Sequence, residues 1–231
     1  MNNLLTPAEL DALRLSLEVA ARSVGFSLPL AVLTAWILTR ARFPGRSVLD
    51  AFVHLPLVVP PVAVGYVLLV IFGLNGAIGG WLHDRLGIQL AFTTAGAAFA
   101  TAVMTFPLMV RAIRLSLENV DVGLEAAART LGAGPWDRFF TITLPLMLPG
   151  VLAGAVTAFA AGLGEFGAVI TFAANIPGVT RTLPLALYTA IQSPSGDAMA
   201  MRLAVISIIL GLLGLLAAEL IARRVRRLLG R

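Results

Sequence analysis

Glu125-Ala126-Ala127-Ala128-Arg129-Thr130-Leu131-Gly132, followed after nine residues by Ile142-Thr143-Leu144-Pro145, is a polar insert between two long apolar stretches. Glu125 to Leu131 is a run of strong helix formers. Gly132-Ala133-Gly134-Pro135 must end it, because glycine takes positive φ at little cost and proline has no amide hydrogen to donate. The spacing predicts a stubby helix closed by a sharp turn, with Leu144-Pro145 marking entry into the next apolar helix. Small Ala126 and Ala127 let a partner surface come close, and Glu125, Arg129, Asp137 and Arg138 offer charges at the rim. A helix of this kind suits a groove on another protein; the plain alternative is a connector whose alanines only favour helix.

The flanking stretches place the insert at a membrane. Of 231 residues 58% are hydrophobic and 13% charged, with a mean hydropathy of +0.92, more apolar than a soluble domain of this size. Five stretches approach the roughly 20 apolar residues that a hydrocarbon core requires: Leu15 to Thr39, Ala51 to Phe72, Ala91 to Val110, Leu144 to Gly164 and Ala200 to Ile221. The expected fold is an all-α integral membrane protein of about five spans, a single domain over 1–231 with the loop 111–145 inside it. All 17 basic residues are arginine. Twelve (Arg40, Arg42, Arg46, Arg111, Arg114, Arg129, Arg138, Arg223, Arg224, Arg226, Arg227, Arg231) fall on one side of that topology and five (Arg14, Arg22, Arg85, Arg181, Arg202) on the other. The arginine-rich side is expected to be cytoplasmic, with the N-terminus outside and the C-terminus and the insert inside. There is no cysteine, so no disulfide or thiolate metal site, and no GxxxxGK[ST] loop to bind ATP. No catalytic pair and no metal site is apparent, and energy must come from another subunit.

Thr6-Pro7-Ala8-Glu9 reads as a capping box with proline at the first helical position, not as a cleavable leader. Arg14, Glu18 and Arg22 line one helix face, as a solvated salt ladder or as an attractor of substrate. Pro56, Pro60 and Pro61 argue against a regular helix: each interior proline costs roughly 3 kcal/mol, and broken backbone at membrane depth is tolerated where protein or a water-filled cavity satisfies it. This segment is either a pathway lining or a packing kink, and Pro107 repeats the pattern. Gly150, Gly154, Ala158 and Gly162 form a small-residue stripe for close helix packing, within the subunit or across a homodimer. Gly164-Glu165-Phe166-Gly167 follows; at about 1.5 Å per residue, Glu165 lies about 31 Å from Leu144, near the outer interface. Its carboxylate serves an outer gate or pairs with Arg181. Thr182 to Ile191, between turn signals, is expected to be a short interfacial helix on the outer face. The arginine-rich tail after the last span reads as a headgroup anchor and not as a nucleic-acid site. With the chain ending at Arg231, no appended regulatory domain is expected.

The insert resembles the EAA loop of ABC importer permeases at every defining position: Glu-Ala-Ala, glycine seven residues after the glutamate, then Ile-x-Leu-Pro. Along nearly all its length the chain is similar to molybdate ABC transporter permeases. The stretches that carry this are Phe43-Pro44-Gly45, His54 to Pro61 with Gly65-Tyr66, Phe106 to Arg114, Ala128 to Gly132, Gly164 to Gly167, and Asn175 to Gly178 with Arg181-Thr182. The resemblance implies a type I ABC importer permease fold in a bacterial inner membrane and a homodimer. It further implies two ABC ATPase subunits, which hold the ATP and Mg while this chain binds no cofactor, and an extracytoplasmic molybdate-binding protein. It makes Glu125, Ala126, Ala127, Arg129, Gly132, Leu144 and Pro145 the ATPase-coupling residues. Pro56, Pro60, Pro61, Thr157, Gly164, Glu165, Phe166 and Gly167 are the pathway and gate candidates. Hydroxyls such as Thr101, Thr105 and Thr157 are candidates to stabilise a dianion weakly enough for release. Sulfate, thiosulfate or tungstate permeases are the nearest alternatives. An ion-coupled carrier is a poorer fit, because Glu18, Glu165 and Glu219 lie toward span ends and no internal repeat is visible.

Overall fold

The computed structural model describes residues 5–228, whose regular structure is all helical with no strand among them. Helix α1 (Pro7–Arg40) opens on the expected capping box: the Glu9 amide donates to Thr6 Oγ1 (3.4 Å) and the Thr6 amide to Glu9 Oε2 (2.6 Å). The other Glu9 oxygen accepts from Arg202 Nε at 2.8 Å. One buried carboxylate thus caps the first helix and ties it to the last. Further along, Arg22 pairs with Glu18 at 2.6 Å.

The second expected span is broken. Helix α2 (Arg46–His54) runs into a 3-10 turn at Leu55–Leu57, and α3 (Pro61–Phe72) leaves at 112° to it. Pro60 is extended at φ −52°, ψ 133°, and Pro61 opens α3 at a position whose amide hydrogen no helix bond would use. Among the described residues four other helices are long and apolar enough to cross a bilayer, five spans if the bent pair is one of them.

A short helix without a counterpart in the sequence reading follows, α4 (Ala77–Leu86), before α5 (Thr94–Glu118). Contrary to expectation, α5 passes Pro107 unbroken. A lone proline removes one hydrogen bond and packing on both sides holds the helix, whereas Pro60-Pro61 start a new one.

The polar insert forms α6 (Val122–Thr130). The next helix begins earlier than Leu144-Pro145: α7 (Pro135–Arg138), a π turn over Phe139–Thr143 and α8 (Leu144–Leu163) run on as one 29-residue helix, Pro135–Leu163. The Leu144 amide reaches back five residues to Phe139. This widening sits directly before Pro145, which has no N–H for an ordinary helical bond, so the motif proline marks a π turn in place of a helix start.

Short α9 (Gly167–Phe172) and α10 (Leu183–Ile191) precede α11 (Asp197–Leu228). Helix α10 is less peripheral than expected. Leu183, Leu185, Ala186 and Ala190 are buried, and the Leu183 amide donates to Ser16 Oγ of α1 at 2.7 Å. In α11, Arg223 pairs with Glu219 at 2.6 Å, while Arg231 lies outside the described residues.

Helix α5 is the centre of the bundle, against α1, α8 and α9. The small-residue stripe of α8 faces it, all four positions buried. A Cβ at Gly150 would stand 2.3 Å from Ser116 Cβ and 2.7 Å from the Ala112 carbonyl oxygen; one at Gly162 would stand 2.9 Å from Thr101 Cγ2. The stripe therefore serves packing within the subunit, where dispersion at close range does what burial does in water. Gly150→Leu should cost roughly 3 kcal/mol through overpacking, read as a lower unfolding midpoint in detergent. Gly154→Ala, whose nearest contacts would be 3.2 and 3.3 Å, should lower it much less.

Candidate functional site: an elbow and a broken span

Three local devices shape the elbow. Asp121 caps α6 by accepting from the Gly123 amide (2.7 Å). At the other end Gly132 takes φ +88°, its amide donates to the Arg129 carbonyl (3.1 Å), and the Ala133 amide donates to that of Ala128 (3.0 Å). This is a Schellman close, which needs a residue at ease in the left-handed region. Pro135 then starts the long helix. Ala126, Ala127, Arg129 and Gly132 are exposed, whereas Leu144 is half-buried and Pro145 is exposed within the long helix.

The elbow also carries apolar residues that the sequence reading passed over. Leu131 is 88% exposed and Trp136 74%, with Val122, Leu124 and Phe140 exposed beside them. Trp136 stacks on Phe140 with ring centroids 6.3 Å apart. The available signal was a tryptophan and a leucine flanking a Gly-x-Gly-Pro breaker, where a solvated connector has no use for them.

Glu125, expected at the rim, is half-buried and bonded inward. Its Oε1 accepts from Arg40 Nη2 at 3.1 Å and from Thr143 Oγ1 at 2.9 Å, which turns the carboxylate toward the end of α1 and the π turn. Beside it an apolar cavity of about 600 Å³ lies between α1 and the long helix, walled by Val32, Trp36, Trp136 and Phe139 among others. A second polar link joins the broken span to α5: Arg114 Nη1 donates to both Asp50 oxygens at 3.1 Å, and its Nε to Glu118 at 2.9 Å. His54 Nδ1 lies 2.9 Å from the Asp50 carbonyl oxygen, a local contact at the end of α2.

At the opposite end of α8, several pathway candidates meet. A Cβ at Gly167 would stand 2.7 Å from Pro61 Cβ, and one at Gly65 2.6 Å from the Ala168 carbonyl oxygen, so the broken span rests directly on α9. Glu165 does not pair with Arg181. Its Oε1 accepts from the Ala168 amide (2.9 Å), while Arg181 Nε donates to Asn175 Oδ1 (2.8 Å). A carboxylate at the start of a helix finds free amides there, closer than any distant cation. Burial pushes the Glu165 carboxyl above the usual range, and the backbone amides of Ala168 and Phe166 pull the other way. Phe166 packs on Tyr188 with centroids 5.1 Å apart, and Gly164 is exposed at the end of α8. Pro56 stands apart from this cluster, in an apolar cavity of about 240 Å³ between α1, α2 and α5.

The hydroxyl candidates divide. Thr157 is exposed on α8, outside the seam with α5. Thr101 and Thr105 are buried and donate to the carbonyls of Ala97 and Thr101, each at 2.9 Å, so their hydroxyl protons satisfy their own helix. Among the described residues no three His, Asp or Glu side chains gather to hold a metal ion.

Residues 27–227 match the family model of the binding-protein-dependent transport system inner membrane component. The chain belongs to that family. Among members, the molybdenum transport system permease protein ModB of Escherichia coli strain K12 is 58% identical over 228 residues, covering 99% of this chain and 100% of that one. The sulfate transport system permease protein CysT of the same strain is 39% identical, over 78% of this chain and 65% of that one. The fold is similar to that of a bacterial ABC transporter involved in the import of the acidic polysaccharide alginate, with TM-score 0.74 at 16% identity over 95% of this chain and 80% of that one. The all-helical architecture is thus that of the type I ABC importer permeases. As a family member the chain is an integral inner-membrane component, the permease subunit of an ABC importer.

Proposed function

We propose that this chain forms, as a homodimer, the pathway of an ATP-driven importer that carries molybdate into the cytoplasm by alternating access. The observation that carries the substrate is end-to-end similarity to a molybdenum permease, against a partial match to a sulfate permease. Two ABC ATPase subunits dock on the elbows through the exposed face of Ala126, Ala127, Arg129, Leu131 and Trp136, and an extracytoplasmic molybdate-binding protein delivers the anion at the opposite end. The arginine asymmetry supports the elbow and the C-terminus facing the cytoplasm and the N-terminus facing out.

ATP binding closes the ATPases and the elbows travel with them. Because Pro135–Leu163 is one helix, displacement at Pro135 reaches Gly164 to Gly167 without an intervening loop, and from there the broken span through Pro61. This chain supplies geometry and no chemistry; ATP and Mg belong to the partner. Pro60, Pro61 and Gly164 to Gly167 are the gate region and Thr157 a pathway contact.

Reconstitution with the ATPase and the binding protein tests this. Labelled molybdate uptake should require ATP, survive collapse of the proton gradient and yield to excess unlabelled molybdate but not sulfate. Uptake lost with the proton gradient while ATP is maintained would identify a secondary carrier. Equal competition by sulfate would favour the sulfate reading.

A further inference from the structure

Helix α6 buries none of its nine residues fully, only Glu125 and Ala128 being half-buried, so little hydrophobic packing fixes it to the bundle. Its chain connections are the short segment from Asn119 to Asp121 and the turn at Gly132, both built to change direction. A helix held only by these would pivot when pulled, and the pull would be spent on the hinges. Among the described residues, the only side-chain hydrogen bonds from α6 to other elements are the two on Glu125 Oε1, one from Arg40 and one from Thr143. Arg40 is the last residue of the first span, and Thr143 the last of the π turn.

The clasp is sheltered: the Arg40 side chain is 18% exposed and that of Glu125 24%, and Thr143 is buried. Arg40 Nε is buried with no hydrogen-bond partner among the described residues, so the guanidinium is held toward Glu125 through Nη2 at the expense of its Nε–H. An exposed ion pair would be screened and worth little; a shared carboxylate out of bulk water, with a hydroxyl donor beside the cation, orients more strongly.

We propose that Arg40 and Thr143 are positioning residues for coupling. They clamp Glu125 so that the elbow moves as one body with the end of α1 and the start of α8, and its displacement reaches two spans at once. The proposal rests on the reading of the elbow as the ATPase-docking element. Glu125 acts inward in it, and the docking surface is the exposed face of the elbow.

The test uses the complete transporter in vesicles, with labelled molybdate uptake and ATP hydrolysis measured on the same preparation. Arg40→Gln and Glu125→Gln should each lower molybdate moved per ATP by about tenfold, with no further loss in the double variant, since both remove one interaction. The ATPase should still co-purify and the unfolding midpoint stay close to that of the parent. Thr143→Val should show a smaller loss in the same ratio and Thr143→Ser should restore it, a pair that keeps the test open if either charge variant folds poorly.

A parental ratio in Arg40→Gln, or a double variant whose loss is the product of the single losses, would overturn the clasp. So would lower uptake that only tracks the amount of folded protein. Failure of the docking reading is separate, because it shows as an ATPase that stays bound when the exposed face of the elbow is charged.

Discussion

Leu131→Asp combined with Trp136→Asp should release the ATPase subunit from the purified permease while leaving the permease folded. The two side chains are 88% and 74% exposed, so the bundle loses little beyond the stacking of Trp136 on Phe140. A partner groove that receives them would instead have to desolvate two carboxylates, at about 2 kcal/mol or more each even where compensation is partial. The lost apolar contacts add to this, since truncating a central tryptophan at an interface typically costs 2 kcal/mol or more. At about 1.4 kcal/mol per decade, a complex of micromolar affinity or weaker would no longer co-purify. Affinity pull-down from detergent, with circular dichroism and an unfolding midpoint on the same sample, reads both halves of the expectation. An ATPase retained at parental stoichiometry would mean that the elbow is not its docking site.

What was legible in the sequence was what local chemistry decides. The Thr6–Glu9 capping box, the break at Pro56 to Pro61 and the Gly132 turn each follow from residues within one or two turns of one another. The gaps have physical causes. Lipid-facing and core-facing positions of a span are both apolar, so hydrophobic pattern could not tell that Thr101 and Thr105 point into packing or that α10 lies against α1. Pro145 looked like a helix start because proline is usual there; only the structure shows the π turn that lets it sit inside a longer helix. The partners of Glu125 and Glu165 were missed for opposite reasons. Arg40 is 85 residues from Glu125, a pairing no local rule can see, whereas Glu165 bonds to an amide three residues away, a partner absent from the two expectations of an outer gate or a pair with Arg181. Cation pairing is the stronger interaction in isolation, but an uncapped helix start at hand removes the need for it.

Gly65→Val should abolish uptake while leaving the ATPase attached, and the contrast follows from where the clash falls. A Cβ at Gly65 would stand 2.6 Å from the carbonyl oxygen and 2.9 Å from the Cα of Ala168. Both are backbone, so no rotamer change relieves the contact, and α3 must move off α9. The strain is of the overpacking kind, about 3 kcal/mol or more, and the movement separates Pro61 from Gly167 as well. The elbow lies at the other end of α8, so pull-down of the ATPase should be unchanged and basal ATP hydrolysis retained. Molybdate uptake and the stimulation of hydrolysis by loaded binding protein should both be lost, because the gate region no longer follows the long helix. Gly25→Ala is the matched control: nothing lies within 4 Å of the added methyl, and alanine in place of a helical glycine should raise stability by about 0.5–1 kcal/mol. Uptake at the parental rate in Gly65→Val would show that the contact between the broken span and α9 takes no part in transport, and the lever from the elbow would then have to act through α5 instead.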